Sequence, residues 1–241
     1  MSIAMKIKKL ANKFGYDVKK HRPFYEDIVM PLGIRTIIDV GANTGRYAHE
    51  MRGLFPSARI YSFEPLKECF AELEDEMAGD PLFKAYNIAL GETEGEFVIQ
   101  KSSFHPSSSL LAMSDIHKKL YPKSRHSQPE TIRVMRLDDA LADEKLEDNI
   151  LIKMDVQGFE DKVIGGGRAT VGRAAIAVIE TSYVPLYEGQ PLFDDIYRLM
   201  TGLGFSYYGD AHRHHDKTGK LIYEDSVYIK KSLLGTLDIA A

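Results

Sequence analysis

The chain has a single cysteine, Cys69, in 241 residues, which excludes an intrachain disulfide and any cysteine-built zinc cluster. Cys69 falls with Leu66, Phe70, Leu73 and Met77 on one apolar face at helical spacing. It therefore reads as a small buried hydrophobe and not as a reactive thiol. Long hydrophobic runs are missing as well. No stretch approaches the ~20 apolar residues that span a bilayer, and Lys6, Lys8, Lys9 and Lys13 break up what would be the core of a secretion signal. The cytoplasm is the expected compartment. There is no internal repeat and no low-complexity tract. A strongly basic balance is also absent: the net charge is −4, which gives no reason to expect nucleic acid as a partner. A small molecule or a glycan remains as the substrate class.

What is present is an ordinary globular composition, 44% hydrophobic and 27% charged, in a length that suits one large α/β domain. The basic residues are concentrated at the start, where the first 22 residues hold seven Lys or Arg and a single Asp. Ile3, Ile7, Leu10, Ala11 and Phe14 recur there at helical spacing, so residues 1–32 are expected to form a helical appendage to a domain over 33–232. Packing against the domain or a second subunit is the preferred role for such a helix; contact with an anionic membrane surface is the weaker alternative.

Short β-rich runs alternate with helical patterns, the mark of a mostly parallel sheet with helices on both faces. Strands are expected at 36–41 (TIIDVG), 59–64 (RIYSFE), 83–90 (FKAYNIAL), 149–155 (NILIKMD) and 175–181 (AIAVIET). Helices are expected over 45–54, 66–77, 160–172 and 192–203, with Pro65 in the first turn of the second. Residues 95–101 and 131–137 read as two further strands separated by a long polar stretch, and 205–208 with 226–230 as a C-terminal antiparallel hairpin joined through 212–219. The fold class is Rossmann-like α/β.

The strongest local signal is Asp39-Val40-Gly41-Ala42-Asn43-Thr44-Gly45. A glycine-containing turn from the first strand into a helix lies where open α/β sheets bind ligands. Gly41 and Gly45 allow close backbone approach, and the helix start offers unpaired N–H groups to an anion. Glu64, ending the next strand, stands where an acid accepts from two ribose hydroxyls. Together these point to an adenosine-containing cofactor. A dinucleotide fingerprint requires G-x-G-x-x-G/A, but the corresponding positions hold Gly41, Asn43 and Arg46, which disfavours a nicotinamide-linked oxidoreductase. A cofactor with an amino-acid tail needs no pyrophosphate cradle, and Asp39 is placed to accept from its ammonium group. S-adenosylmethionine fits these features. At the third strand end, Asn87, Ile88 and Ala89 are candidates to flank and bond the adenine.

Asp155 in KMDVQGFE and Glu180 end two further strands at the same rim. Such carboxylates can accept the proton of a substrate hydroxyl or hold a divalent cation such as Mg²⁺ that acidifies it. The turn IIDVGANTG, the strand end FEP and above all LIKMDVQGFE resemble the FkbM-like methyltransferases, over about residues 34–231. The resemblance implies a class I methyltransferase fold, S-adenosylmethionine as donor, and O-methylation of sugar or polyketide-like hydroxyls. It places Asp39, Gly41, Asn43, Gly45 and Glu64 in the cofactor site and Asp155 facing the transferred methyl, with Lys153 and Glu160 shaping the turn. A nicotinamide-linked oxidoreductase and a non-catalytic module that keeps this fold are the remaining alternatives. In the polar stretch, His105 is a candidate general base and Ser107–Ser109 could fold over the site. Tyr183 and Tyr187 are candidates to wall the acceptor pocket. His212, Arg213, His214 and His215 are expected near a hairpin tip with no acid at ligand spacing, so no protein metal site is assigned.

Overall fold

The fold was analysed in a computed structural model, which describes residues 9–11, 13–14 and 24–235. Most of the basic N-terminal segment therefore lies outside the described residues. Residues 24–32 are helical, and Val29 and Leu32 are buried with Ile34, Ile37 and Met51 in the core.

Seven strands form the main sheet: β1 (Thr36–Val40), β2 (Arg59–Phe63), β3 (Phe83–Tyr86), β7 (Ile150–Met154), β8 (Ile176–Ser182), β9 (Phe205–His215) and β10 (Leu221–Lys230). Their order is β3-β2-β1-β7-β8-β10-β9. The first five run parallel, and β10 is antiparallel to both β8 and β9. β1, TIIDV, is buried at every position, as a central parallel strand covered on both faces should be. Ile38 and Val40 pack into the cluster with Val163, Ile164, Ile196 and Met200, and Ile37 into that with Ala48, Met51 and Leu73. These contacts come from helices α5 (Glu160–Gly166) and α7 (Phe193–Gly202) on one face, and α1 (Arg46–Leu54) and α2 (Lys67–Glu76) on the other. After β1 the chain builds outward through β2 and β3, then returns to place β7 on β1's other side. The topological switch point thus lies between the carboxyl ends of β1 and β7, where such sheets bind ligands.

Several sequence expectations are corrected. The third strand is divided: β3 stays in the main sheet, and β4 (Ala89–Leu90) joins β5 (Gly95–Ser102) and β6 (Ser127–Met135) in a small sheet of order β4-β6-β5. The break falls at Asn87, whose side-chain amide donates to the carbonyls of Glu64 (2.9 Å) and Pro65 (3.0 Å). Pro65 precedes the α2 N-cap, Leu66, and so lies outside the first helical turn. The long polar stretch is ordered between β5 (Gly95–Ser102) and β6 (Ser127–Met135), which pair along their length; it contains a short turn of 3₁₀ helix at His105–Ser107 and α3 (Asp115–Leu120), capped by Ser114. The hairpin is longer than expected, because the Asp216 side chain accepts from Thr218 N–H (2.8 Å) and Lys220 N–H (3.0 Å) and closes the turn beyond residue 215. His212, Arg213, His214 and His215 therefore lie within β9. The helix expected over 160–172 is split at Gly167 into α5 and α6 (Arg168–Arg173); α4 (Leu137–Ala140) is a single turn under it.

Candidate active site

A cleft opens at the switch point, lined by the turns after β1 and β7, the end of β2 and the segment after β5. Its floor is the turn after β1. Gly41 (φ 78°) and Asn43 (φ 49°) both adopt left-handed conformations, and the N–H groups of Gly41 and Ala42 donate to Phe63 O at 3.0 Å. A Cβ on Gly41 would lie 2.0 Å from the backbone oxygen of Asp155. Only glycine therefore lets the β1 turn close against the β7 turn. Gly45 (φ 90°) caps α1 with its Cα against Leu73.

Glu64 lines the cleft and is 5% exposed. Its Oε2 accepts from Asn43 N–H (2.9 Å) and its Oε1 from Leu66 N–H (2.8 Å), which leaves a further acceptor site on each oxygen for a vicinal diol. Burial pushes this carboxyl up to about 7, against the two N–H groups that favour its charge. Ile88 and Ala89 line the cleft beside Phe63. Gly41, Asn43, Pro65 and Asp155 line it too. The chemistry fits an adenosyl group: an apolar slot for the base next to an acid with free lone pairs for the sugar.

Other expected cofactor residues stand behind this surface. Asp39 is fully buried, on the face of β1 shared with Ile37, and it pairs in register with Lys153 of β7. Both its oxygens lack a hydrogen-bond partner among the described residues, and Lys153 Nζ stands 3.7 Å away. Burial raises its pKa, which Lys153 partly offsets. Lys153 also donates to Gly41 O (3.3 Å) and lies 3.7 Å from Asp155 Oδ2. Burial alone would lower its pKa, but Asp155, Asp39, Asp225 and Glu180 outweigh that and keep the ammonium charged. Asn87 spends its amide nitrogen on backbone carbonyls, and Thr44 N–H donates to Asn43 Oδ1 (2.8 Å). These residues shape the turn from behind.

The reaction rim is built from β7, β8 and β10. Asp155 and Glu180 are joined by one side chain: Gln157 Nε2 donates to Asp155 Oδ1 (2.7 Å) and to Glu180 Oε1 (2.9 Å). Burial, and then the charge of Asp155, raise the Glu180 carboxyl well above the ordinary carboxylate range. Asp225 stands opposite Glu180 in the β8–β10 register, and burial with Asp155 nearby pushes it up to about 6. Glu160 clips the turn, its Oε1 accepting from Val156 N–H (3.1 Å) and Gly158 N–H (3.2 Å). The divalent-cation alternative finds no support in this geometry. An amide donor stands between the two carboxylates where a bridging cation would be needed, and among the described residues no group of three or more His, Cys, Asp or Glu could hold a metal ion.

The segment after β5 covers the cleft. His105, Ser108 and Ser109 line it, and Ser109 Oγ donates to Gln157 O (2.7 Å). The His105 ring meets Cys69 Sγ (3.3 Å) through Nδ1 and Glu68 (3.7 Å) through Nε2. Both ring nitrogens thus face residues of α2. The Cys69 thiol is buried, and its pKa is pushed up to about 12. The two tyrosines differ from expectation. Tyr187 is buried, and its hydroxyl donates to Gln157 Oε1 (2.7 Å), with Ser107 O at 3.2 Å; Tyr183 stacks on Phe193 (5.1 Å). The residues that sequence reasoning missed are Gln157 and Asp225. The first lies inside the quoted motif, but nothing in the sequence reports its partners; the second lies just before the expected hairpin strand.

Residues 39–207 match the methyltransferase FkbM domain. The 2-O-methyltransferase NoeI of Sinorhizobium fredii (strain NBRC 101917 / NGR234) is 30% identical over 184 residues, covering 72% of this chain and 73% of that protein. The methyltransferase sdnD of Sordaria araneosa is 27% identical over 192 residues, covering 70% and 73%. Among solved structures, an rRNA methylase from Streptococcus thermophilus aligns with a TM-score of 0.47 at 9% identity, covering 88% of this chain and 99% of that one. The domain match takes in the β1 turn, Glu64, the lid and both rim carboxylates, and with it this chain belongs to the FkbM methyltransferase family.

Proposed function

We propose that the protein is an S-adenosylmethionine-dependent O-methyltransferase acting on a hydroxyl of a small-molecule or glycan acceptor. The observation that carries this reading is that Asp155, a strand-end carboxylate, lines the same cleft as Glu64 and Gly41. Glu64 would hold the ribose hydroxyls, Ile88 and Ala89 the adenine, and the backbone around Gly41 and Asn43 the amino-acid tail. When bound, the cofactor supplies an electrophilic methyl group.

An alcohol is a weak nucleophile at neutral pH, whereas a neutral amine needs no base. A carboxylate poised at the reaction rim therefore favours a hydroxyl acceptor. Asp155 takes the hydroxyl proton as the oxygen becomes nucleophilic. Burial and the neighbouring Asp155 disfavour the ionised form of Glu180. The Lys153 ammonium stands 3.7 Å from Asp155 Oδ2. The lid, tied down at Ser109 and Tyr187, excludes water and orients the partners, which is the largest lever available to a two-substrate displacement. The printed name of NoeI, a 2-O-methyltransferase, agrees with oxygen as the methylated atom. No step in this reading uses Mg²⁺.

Asp155→Asn tests the assignment. The variant is isosteric and keeps the Oδ1 contact with Gln157, so its dissociation constant for the cofactor should stay within about threefold, while kcat falls by about 10²–10⁴. Unchanged turnover in a variant that binds the cofactor normally would remove Asp155 from the chemistry.

A further inference from the structure

The best-connected side chain at the rim has no place in the reading above. Gln157 is a non-glycine residue at φ 57°, a conformation that costs free energy and persists only where its surroundings fix it. Four contacts do so. Its Nε2 donates to Asp155 Oδ1 and Glu180 Oε1, its Oε1 accepts from Tyr187 O–H, and its backbone oxygen accepts from Ser109 Oγ in the lid. The next residue, Gly158 (φ 95°), has space for no side chain, since a Cβ would lie 2.9 Å from Gln190 and 3.3 Å from Tyr187.

The orientation of the carboxamide follows from these partners. Turned over, it would aim its oxygen at two carboxyl groups; as it stands, both N–H groups are used on carboxyl oxygens and the oxygen meets a hydroxyl donor. Asp155 Oδ1 is thereby occupied, while among the described residues Oδ2 has only the ammonium of Lys153, at 3.7 Å.

We propose that Gln157 is a positioning residue for the proton transfer: locked by Tyr187 and by the lid, its amide fixes Asp155 and Glu180 relative to one another and leaves Asp155 Oδ2 as the oxygen that takes the acceptor's proton. This rests on the reading of Asp155 as base. It adds that the lid and the base are joined through one residue, so the carboxylate pair is correctly set only when the 103–111 segment is in place. Glu180 and Asp225 belong to the same electrostatic cluster, with Glu160 behind the turn and Lys153 as its cation.

The test needs no acceptor. In the full chain labelled with ¹³C at the Asp and Glu side-chain carboxyls, NMR titration follows Asp155 and Glu180 individually, assigned by their loss in Asp155→Asn and Glu180→Gln. Removing hydrogen bonds that favour the charged form raises a carboxyl's midpoint. In Gln157→Leu the Asp155 midpoint should therefore rise by about 1 pH unit or more, a change expected for a lost charge-assisted bond. Tyr187→Phe keeps the buried ring and removes only the hydroxyl that orients the amide, so it should raise the same midpoint by about half as much. If Gln157→Leu does not fold, Tyr187→Phe decides alone. Midpoints within about 0.2 pH units of wild type in the folded variants would overturn the proposal. Calorimetry of the wild-type chain with S-adenosylmethionine runs alongside: absent binding would defeat the cofactor reading, while the titration still reports on Gln157.

Discussion

The two halves of the cleft are made in different ways. On the cofactor side, the work is done by backbone: two left-handed residues at Gly41 and Asn43, their N–H groups, and one acid, Glu64, pinned by Asn43 and Leu66. This turn and its acid come from residues 39–66, one contiguous β-α-β stretch, and Ile88 and Ala89 complete the slot beside them. On the reaction side, the work is done by side chains drawn from across the chain: Asp155 and Gln157 after β7, Glu180 on β8, Asp225 on β10, Tyr187 from the loop beyond β8 and Ser109 from the lid. A site that must bind a constant cofactor can be built into a local turn. A site that must match a variable acceptor and hold two carboxylates in one geometry draws on elements that can diverge independently.

The point where the halves touch is Gly41 against the Asp155 carbonyl, and the largest effect is expected there. Gly41→Ala adds a methyl group 2.0 Å from that oxygen at a φ that disfavours any side chain. It should abolish measurable cofactor binding and lower the melting temperature by about 10 °C, since overpacking and backbone strain together cost about 3–4 kcal/mol. A variant that melts and binds like wild type would mean that the halves are not mechanically joined.

A smaller effect separates them. Glu64 titrates near 7 in the unliganded chain and binds ribose hydroxyls best when ionised, so below 7 a proton must leave before the cofactor binds. The dissociation constant should therefore rise about tenfold between pH 8 and pH 6, and Glu64→Gln should bind more weakly with a flat profile. The sign for folding is opposite. A carboxyl raised above its unfolded value of 4.5 contributes stability that is complete below about 4.5 and is lost as the pH rises through about 7. Denaturant midpoints of the unliganded protein across that range check this, with Glu64→Gln showing less loss.

The smallest effect concerns the lid. Ser109→Ala removes the hydrogen bond that its Oγ donates to Gln157 O and the one it accepts from Leu111 N–H, each worth about 1 kcal/mol. Cofactor affinity should fall about fivefold, and a loss confined to kcat would place the lid's influence on the reaction half alone.

The same contrast explains what the sequence disclosed. The cofactor turn was legible because its requirements are local: a strand, a glycine at positive φ, and an acid one strand further on. The sheet was legible too, since fully buried strands such as TIIDV leave a continuous apolar signature. Asn87 is expected at the adenine, and only the structure shows that its amide nitrogen is used in ending β3. The longer hairpin and the position of His212–His215 followed from a turn closed by Asp216, which propensity alone did not place. Asp155 and Glu180 could be nominated as strand-end acids, but their link through Gln157 depends on three loops that meet only in space. His105 is a candidate by residue type alone, and only the structure shows its contacts with Cys69 and Glu68.

The central claim is that the rim carboxylate serves a hydroxyl acceptor. It is tested most directly by the bond that the transferred methyl forms. With ¹³C-methyl S-adenosylmethionine and fractionated small-molecule and glycan extracts, the labelled product isolated from the wild-type chain should carry its methyl as an ether on oxygen. A product methylated on nitrogen or carbon would contradict the account.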